Sequence, residues 1–280
     1  MKETLTDFEY FLKSHDTGIL QSFHPYFQDA FWEMVVSGGK RFRPSLLFAV
    51  VLGVDRAKIK DCFYIALALE VLHTYSLIHD DLPAMDNSPL RRGHTTLHIK
   101  YDETSAILAG DALNTYAFYL IGNANFSDEV KVAIAKSLSF GALKMVLGQA
   151  CDCYFENQRL GKDKIDFIHL NKTAALIASA LEIGGIISLL SQDEIDRLKA
   201  FGMRLVLYFQ IRDDVIDSTS VESIEGKPMN NDTNKNSYVN LLGINEAKNA
   251  KERLKDELWL ELDGMRDDVQ KHLRALLQSY

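Results

Sequence analysis

The sequence predicts an all-α protein, and three observations carry that expectation. Apolar residues recur at helical spacing along most of the chain. There are only five prolines in 280 residues, which leaves room for long helices that proline would break. No alternating strand ladder or hairpin signal stands out. No linker divides the chain, so residues 1–280 are expected to form one helical domain.

Taken in order, Leu5, Phe8 and Leu12 mark an opening amphipathic helix. Pro44-Ser45-Leu46-Leu47 reads as a helix start with proline at the first helical position. Helices are predicted over 61–81, 106–121, 128–149, 171–190 and 193–217, with Asp61, Asp128, Asn171 and Asp193 as N-caps. The stretch 128–149 is long and rich in Ala, Leu and Val, which predicts a central position. Residues 246–258 and 267–277 read as helices with one exposed face. Two segments read as loops: 82–96, and 225–237 with Gly226, Pro228 and several Asn, a candidate flexible lid.

Composition narrows the function classes. The chain is 47% hydrophobic, enough to fold, and its net charge of −8 argues against nucleic acid, whose phosphates need a basic face. The most apolar window, 173–190, is broken by Glu182 and Gly184-Gly185 and falls short of the roughly 20 residues of a membrane span. It reads as a buried core helix, and no membrane span is expected. No secretory signal or lipidation motif is visible. Three cysteines without a CxxC pair fit reduced thiols in a cytoplasmic protein.

Charge placement is more telling than its sum. The helix over 61–81 carries Glu70, His73, Leu77 and Asp80 on one face and ends in Asp80-Asp81, with Pro83 and Asp86 beyond. A later helix carries Gln210, Asp213, Asp214 and Asp217 as one polar stripe. Acids at a helix C-terminus oppose the macrodipole, each costing about 0.3–1 kcal/mol. Two clusters of hard oxygen ligands on apolar helices point to a shared Mg²⁺ site. Conversely, Lys40, Arg41 and Arg43 precede a helix N-terminus, which suits a docking anion. Arg91-Arg92 follow the first acid cluster, and Lys172 and Lys227 each follow a turn or cap residue. Divalent metal beside guanidinium groups describes a diphosphate site. No Walker loop is present, which argues against nucleotide phosphoryl transfer.

These segments resemble the trans-isoprenyl diphosphate synthases, most closely the bacterial farnesyl diphosphate branch. The ordered matches run from Gly38-Gly39-Lys40-Arg41-Phe42-Arg43-Pro44 through Tyr75 to Asn87, Arg91-Arg92-Gly93, Ala109-Gly110-Asp111-Ala112-Leu113 and Lys172-Thr173. They continue through Phe209 to Asp217 and end at Gly226-Lys227. The resemblance implies an all-α bundle around a deep central cavity, working as a homodimer on isoprenoid diphosphates. It implies that Asp80, Asp81, Asp86, Asp213 and Asp217 hold several Mg²⁺ ions. Lys40, Arg43, His73 and Arg92 would hold isopentenyl diphosphate. Arg91, Lys172, Thr173, Gln210 and Lys227 would hold the allylic diphosphate. Asp80, Asp86, Lys172, Thr173, Gln210 and Asp213 would carry catalysis: ionisation, condensation, then proton loss.

Tyr75 and Ser76 are the candidate chain-length residues, with Tyr75 about 7.5 Å before Asp80 along the axis. In the family an aromatic here, beside a longer first motif, typically stops growth at fifteen carbons, so the resemblance implies a farnesyl product, with a geranylgeranyl or other short-chain diphosphate synthase as the alternative. Helical geometry sets Tyr75 about 140° from Asp80, so its direction rests on the resemblance.

The sequence departs from the family pattern at Asn87-Ser88-Pro89-Leu90, Arg212 and Cys151-Asp152-Cys153, and none of these is expected to touch an essential residue. A terpene cyclase is disfavoured by the second aspartate motif together with Lys40 and Arg43. A non-catalytic partner subunit is disfavoured because both acid sets are kept. A di-iron bundle needs a second ExxH beside Glu70-Val71-Leu72-His73, and the chain has none.

Overall fold

The structure, a computed structural model, describes residues 1–18, 23–156, 158–219 and 237–278, without the side chains of Pro25, Asp217 and Thr219. The second predicted loop, with Lys227, therefore lies outside the described residues apart from Ser237.

The expected helices form, with shifted ends, and four that were not expected stand among them, at 25–36, 97–100, 162–169 and 238–242. The first four are α1 (Lys2–Ser14), α2 (Pro25–Val36), α3 (Phe42–Val54) and α4 (Cys62–Asp80). Next come a short hairpin, β1 (Leu90–Arg91) and β2 (His94–Thr95), and the helices α5 (Leu97–Lys100), α6 (Glu103–Asn123) and α7 (Asp128–Phe155). The rest are α8 (Lys162–His169), α9 (Ala175–Ile187), α10 (Gln192–Thr219), α11 (Tyr238–Leu242), α12 (Ile244–Asp263) and α13 (Asp267–Gln278).

The centre of the fold is α3, α4 and α9. Residues 44–51 of α3 are buried without interruption, and α9 is buried on nearly every face. α4 packs along α6, α9 lies between α7 and α10, and α13 closes over α3. A second apolar cluster joins α8, the end of α10, α11 and α12 around Ile165, Ile211, Val215 and Tyr238. Two helical stretches, Cys62–Asp80 and Lys162–Ile187, are long and apolar enough to cross a membrane, yet 72% of each is buried inside the protein. They are core helices, as 173–190 was expected to be.

Several expectations need correction. α7 is not central: Phe140, Leu143, Val146 and Leu147 are exposed along it. α3 begins at Phe42, not Pro44, because Arg41 turns the chain at φ 48° and its carbonyl takes the Ser45 N–H at 2.9 Å. Pro44 is tolerated there because the first-turn N–H groups of a helix have no internal acceptor. The working caps stand one or two residues before those expected, or, at Asp102, where none was expected. Asp102 accepts from Ser105 N at 2.6 Å, Ser127 caps α7, and Ser191 exchanges hydrogen bonds with Glu194 as a capping box. Asp61 makes no cap bond and instead accepts from Asn125 at 3.1 Å.

The largest correction concerns Asn171. It starts no helix, because α8 and α9 are one continuous helix interrupted by a π-helical turn at Leu170–Ala174. Buried Asn171 donates to Phe167 O at 2.7 Å inside that turn. The hairpin was also missed. Arg92 and Gly93 both have positive φ and form the tight two-residue connection that matches strand twist.

Below the α3 turn, Arg41 is almost fully buried. It donates to Glu9 Oε1 and Glu70 Oε1, both at 2.6 Å, and to Val35 O at 2.9 Å. Arg41→Ala would strand Glu70, which is 2% exposed, without a counter-charge. The expected loss of unfolding free energy is about 3–5 kcal/mol, read from urea denaturation. Replacing both partners, Arg41→Met with Glu70→Leu, should cost much less, because one fewer charge is left stranded.

Candidate active site

Three groups of polar side chains assemble at the ends of α3, α4 and α10. The first is the acid cluster that closes α4. The chain after Asp81 folds back on itself, with Asp86 N donating to Asp80 O at 2.9 Å and Ser88 N to Asp81 O at 3.2 Å. The loop 82–96 is thus tied by backbone bonds, and Asp86 returns to the end of α4. Arg91, carried on β1, reaches into this turn. Its Nε and Nη2 bond Asp81 Oδ1 at 2.9 and 2.5 Å, and Nη2 lies 3.8 Å from Asp80 and 4.0 Å from Asp86. Asp81 is 2% exposed and engaged by Arg91, whereas the Asp86 side chain is 47% exposed. Burial raises the Asp80 carboxyl above its ordinary value; Lys172 and Arg91 oppose this, while Asp86 and Asp81 add to it.

Two helices complete this cluster. Gln149 of α7 donates its side-chain amide to Asp80. Lys172, in the π turn, donates to Asp152 Oδ2 at 2.6 Å. Burial alone would lower the Lys172 ammonium, but Asp152, with Asp80 and Asp86 beyond, holds it above its ordinary value. The close approach depends on Gly148: a Cβ there would lie 2.1 Å from the backbone nitrogen of Lys172. A single-turn π bulge at such a point is a common feature of functional helices. Gln149 and Asp152 were not predicted as site residues.

The second group is cationic. Arg43 and His73 are half-buried, and Arg43 Nε and His73 Nδ1 are fully buried with no hydrogen-bond partner. Arg92, at φ 54°, donates to Gly38 O at 2.9 Å. Burial, then Arg92, lowers the Arg43 guanidinium to about 10, with Glu70 opposing. Burial holds His73 neutral well below its usual range, and the fields of Arg43, Arg92, Arg91 and Arg41 push the same way. Lys40 is exposed at the edge of this group, while Arg41 belongs to the buried ion-pair network.

The third group lies on α10. Arg212 donates to Asp213 Oδ1 through Nε at 3.0 Å and Nη2 at 2.8 Å, and stacks on Phe209. Asp214 accepts the backbone N–H of Tyr238 at 2.7 Å. Phe209 meets Phe42 edge-on at 5.3 Å, which ties this helix to the cationic turn. Gln210 and Thr173 are partly exposed, and the Asp217 side chain lies outside the description. Among the described residues, no three His, Cys, Asp or Glu side chains converge tightly enough to enclose a metal ion by themselves.

The departures from the family pattern do touch the site, contrary to expectation. Asp152 pairs with Lys172, Cys153 Sγ lies 3.4 Å from the Gln149 amide, and Arg212 pairs with Asp213. Ser88 ties the returning loop to Leu90 O at 2.9 Å. Spacing in the sequence could not show these contacts, because each crosses between elements or depends on a side-chain turn.

Comparison with known proteins identifies the family. The polyprenyl synthetase family profile matches residues 24–276. The farnesyl diphosphate synthase of Micrococcus luteus is 38% identical over 99% of this chain and 97% of its own. That of Haemophilus influenzae is 37% identical over 99% and 95%. The solved geranyltransferase of Helicobacter pylori, complexed with magnesium and isoprenyl diphosphate, superposes with a TM-score of 0.91. It is 47% identical, over 99% of this chain and 95% of that one. The chain belongs to the polyprenyl synthetase family and is a prenyltransferase.

The Lys172–Asp152 pair makes a direct prediction. Asp152→Asn removes the strongest field holding the Lys172 proton, so the ammonium should titrate at lower pH than in the parent. Competitive acylation of lysines at fixed alkaline pH should then label Lys172 faster; unchanged labelling would refute the assignment.

Proposed function

We propose that the protein condenses isopentenyl diphosphate with dimethylallyl or geranyl diphosphate, head to tail and with Mg²⁺, to give farnesyl diphosphate. The observation that carries this is the unpartnered pair, Arg43 Nε and His73 Nδ1, buried beside Arg92. Such groups are costly to bury unless an anion joins them. A diphosphate facing an acid cluster a few residues away needs both halves.

The donor set suits magnesium. Asp80, Asp86 and Asp213 offer hard oxygens, and Mg²⁺ keeps several waters and shares its shell with substrate phosphates instead of demanding a full protein cage. Asp217 is assigned with them by motif position. Asp81, bonded to Arg91, would shape the first motif from behind. When bound, the metal supplies neutralisation of the charge that develops on a departing diphosphate.

This chain's own residues do the rest. Arg91, Lys172 and Gln210, with Lys227, hold the allylic diphosphate; Arg91 and Lys172 exchange their present carboxylates for phosphate oxygens. Arg43, Arg92, His73 and Lys40 hold the isopentenyl diphosphate and aim its double bond at the allylic carbon. The side-chain oxygens of Thr173 and Gln210 face the cation formed on ionisation. Apolar walls exclude water, and the departed diphosphate takes the proton. Tyr75, buried on α4, forms the stop for a fifteen-carbon product.

The whole chain acts as one domain, in the cytoplasm and as a homodimer. The dimer is supported by an apolar surface on α6 and α7, where Leu108, Phe118, Tyr119, Phe140, Leu143 and Leu147 are exposed.

Incubation with isopentenyl and geranyl diphosphates should yield farnesyl diphosphate with Mg²⁺ and nothing with a chelator. No condensation under any divalent metal would sink the reading. Asp80→Asn should lower kcat by at least about 100-fold, a loss typical for removing one charge-stabilising group. Arg43→Gln should chiefly raise KM for isopentenyl diphosphate, leaving KM for the allylic substrate near its parent value.

A further inference from the structure

The segment Ala109-Gly110-Asp111-Ala112-Leu113 is part of the family resemblance, yet no step above uses it. It lies on α6, which packs along α4, and it faces His79. His79 Nε2 is 3.0 Å from the carbonyl oxygen of Ile107. A carbonyl can only accept, so Nε2 carries the proton and the ring is fixed to the α6 backbone. The ring fits there because residue 110 has no side chain: a Cβ would stand 2.1 Å from Nε2 and 2.4 Å from Cδ2. Asp111 Oδ1 lies 4.0 Å from the same nitrogen. One turn earlier on α4, Tyr75 meets the His79 ring edge-to-face, with centroids 5.6 Å apart and planes at 89°. Tyr75 is itself buried.

We propose that His79, seated against Ile107 in the gap at Gly110, is a positioning residue for product length: it fixes the ring of Tyr75. This rests on the reading of Tyr75 as the stop. An aromatic side chain has few rotamers, but nothing in its own chemistry prevents it from turning aside as an apolar tail presses on it. At the i+4 position, His79 occupies one side of the ring. Its hydrogen bond to α6 keeps it from yielding. The rigidity of the stop therefore comes from the α4–α6 contact.

The experiment compares the parent with Tyr75→Ala, His79→Ala, Gly110→Ala and the double variant Tyr75→Ala/His79→Ala. Each is incubated with isopentenyl and geranyl diphosphates. Products are dephosphorylated and separated by length, and thermal melting confirms folding. His79→Ala and Gly110→Ala should each raise the share of products longer than the parent's several-fold, by less than Tyr75→Ala does. The double variant should match Tyr75→Ala alone, because His79 acts through Tyr75. If Tyr75→Ala lengthens the product while neither His79→Ala nor Gly110→Ala does, the positioning role is overturned and the stop survives. Further lengthening in the double variant also overturns it. An unchanged product from Tyr75→Ala removes the stop and the positioning role together. His79→Ala and Gly110→Ala approach the contact from opposite sides, so either one that folds decides.

Discussion

The ion pair between Arg41 and Glu70 is the contact on which the site depends. It lies where water is excluded, so both charges carry a desolvation penalty that only good geometry offsets. The planar guanidinium supplies that geometry by spreading three hydrogen bonds over α1, the end of α2 and the middle of α4. A lysine, with one compact charge, could not serve three directions at once. The left-handed backbone at Arg41 is unfavourable for a side-chain-bearing residue, and the three bonds hold it there. Once Arg41 is committed to structure, the cations on either side of it, Lys40 and Arg43, stand at the mouth of α3. The opposing wall, His73, is three residues along α4 from Glu70 and so is fixed by the same contact.

The two halves of the site are in different electrostatic states. Around the two acid motifs the protein carries its own counter-ions: Arg91 against Asp81, Lys172 against Asp152, and on α10 Arg212 against Asp213. A ligand arriving here exchanges partners, and its net gain is a difference between two similar pairings. Around Arg43, His73 and Arg92 the cations outnumber nearby acids, and two buried nitrogens have no hydrogen-bond partner. A ligand arriving there relieves an existing cost. Affinity is thus expected to come mainly from the cationic half, while the acid half supplies the response to charge developing during reaction.

The helical period was legible in outer helices such as α1 and α13, which bury one stripe each, while the central α3 and α9, buried nearly all round, stand out as unbroken apolar runs. The charged clusters were legible because they violate that pattern at helix ends. What was not legible shares one cause: contacts between elements. Ser127 and Ser191 displaced Asp128 and Asp193 as caps because cap choice is settled by the entering backbone as well as by residue type. The apolar composition of α7 suggested a central helix, but Phe140, Leu143, Val146 and Leu147 face outward. Asp152 looked like an oddity between two cysteines until the π turn brought Lys172 to it. Asp214, read beside Asp213 and Asp217 as part of one stripe, instead holds the start of α11.

That π turn also has a bearing on insertions and deletions. An extra residue in one turn rotates everything on one side of it by about 100° relative to an unbroken helix. α8 and α9 are therefore out of phase with one another, and each faces its own partners: α9 the central core, α8 the cluster around Tyr238. A one-residue deletion anywhere within Leu170–Ala174 would bring the two into step. α9 is wedged between α7 and α10 and could not turn, so α8 would have to. Ile165 and Ile168 would leave their cluster, and Asp166 would lose the Tyr238 hydroxyl now 2.5 Å away. As far as the fold goes, and setting aside the site residues Lys172 and Thr173, this short stretch should therefore tolerate substitution far better than any change in its length.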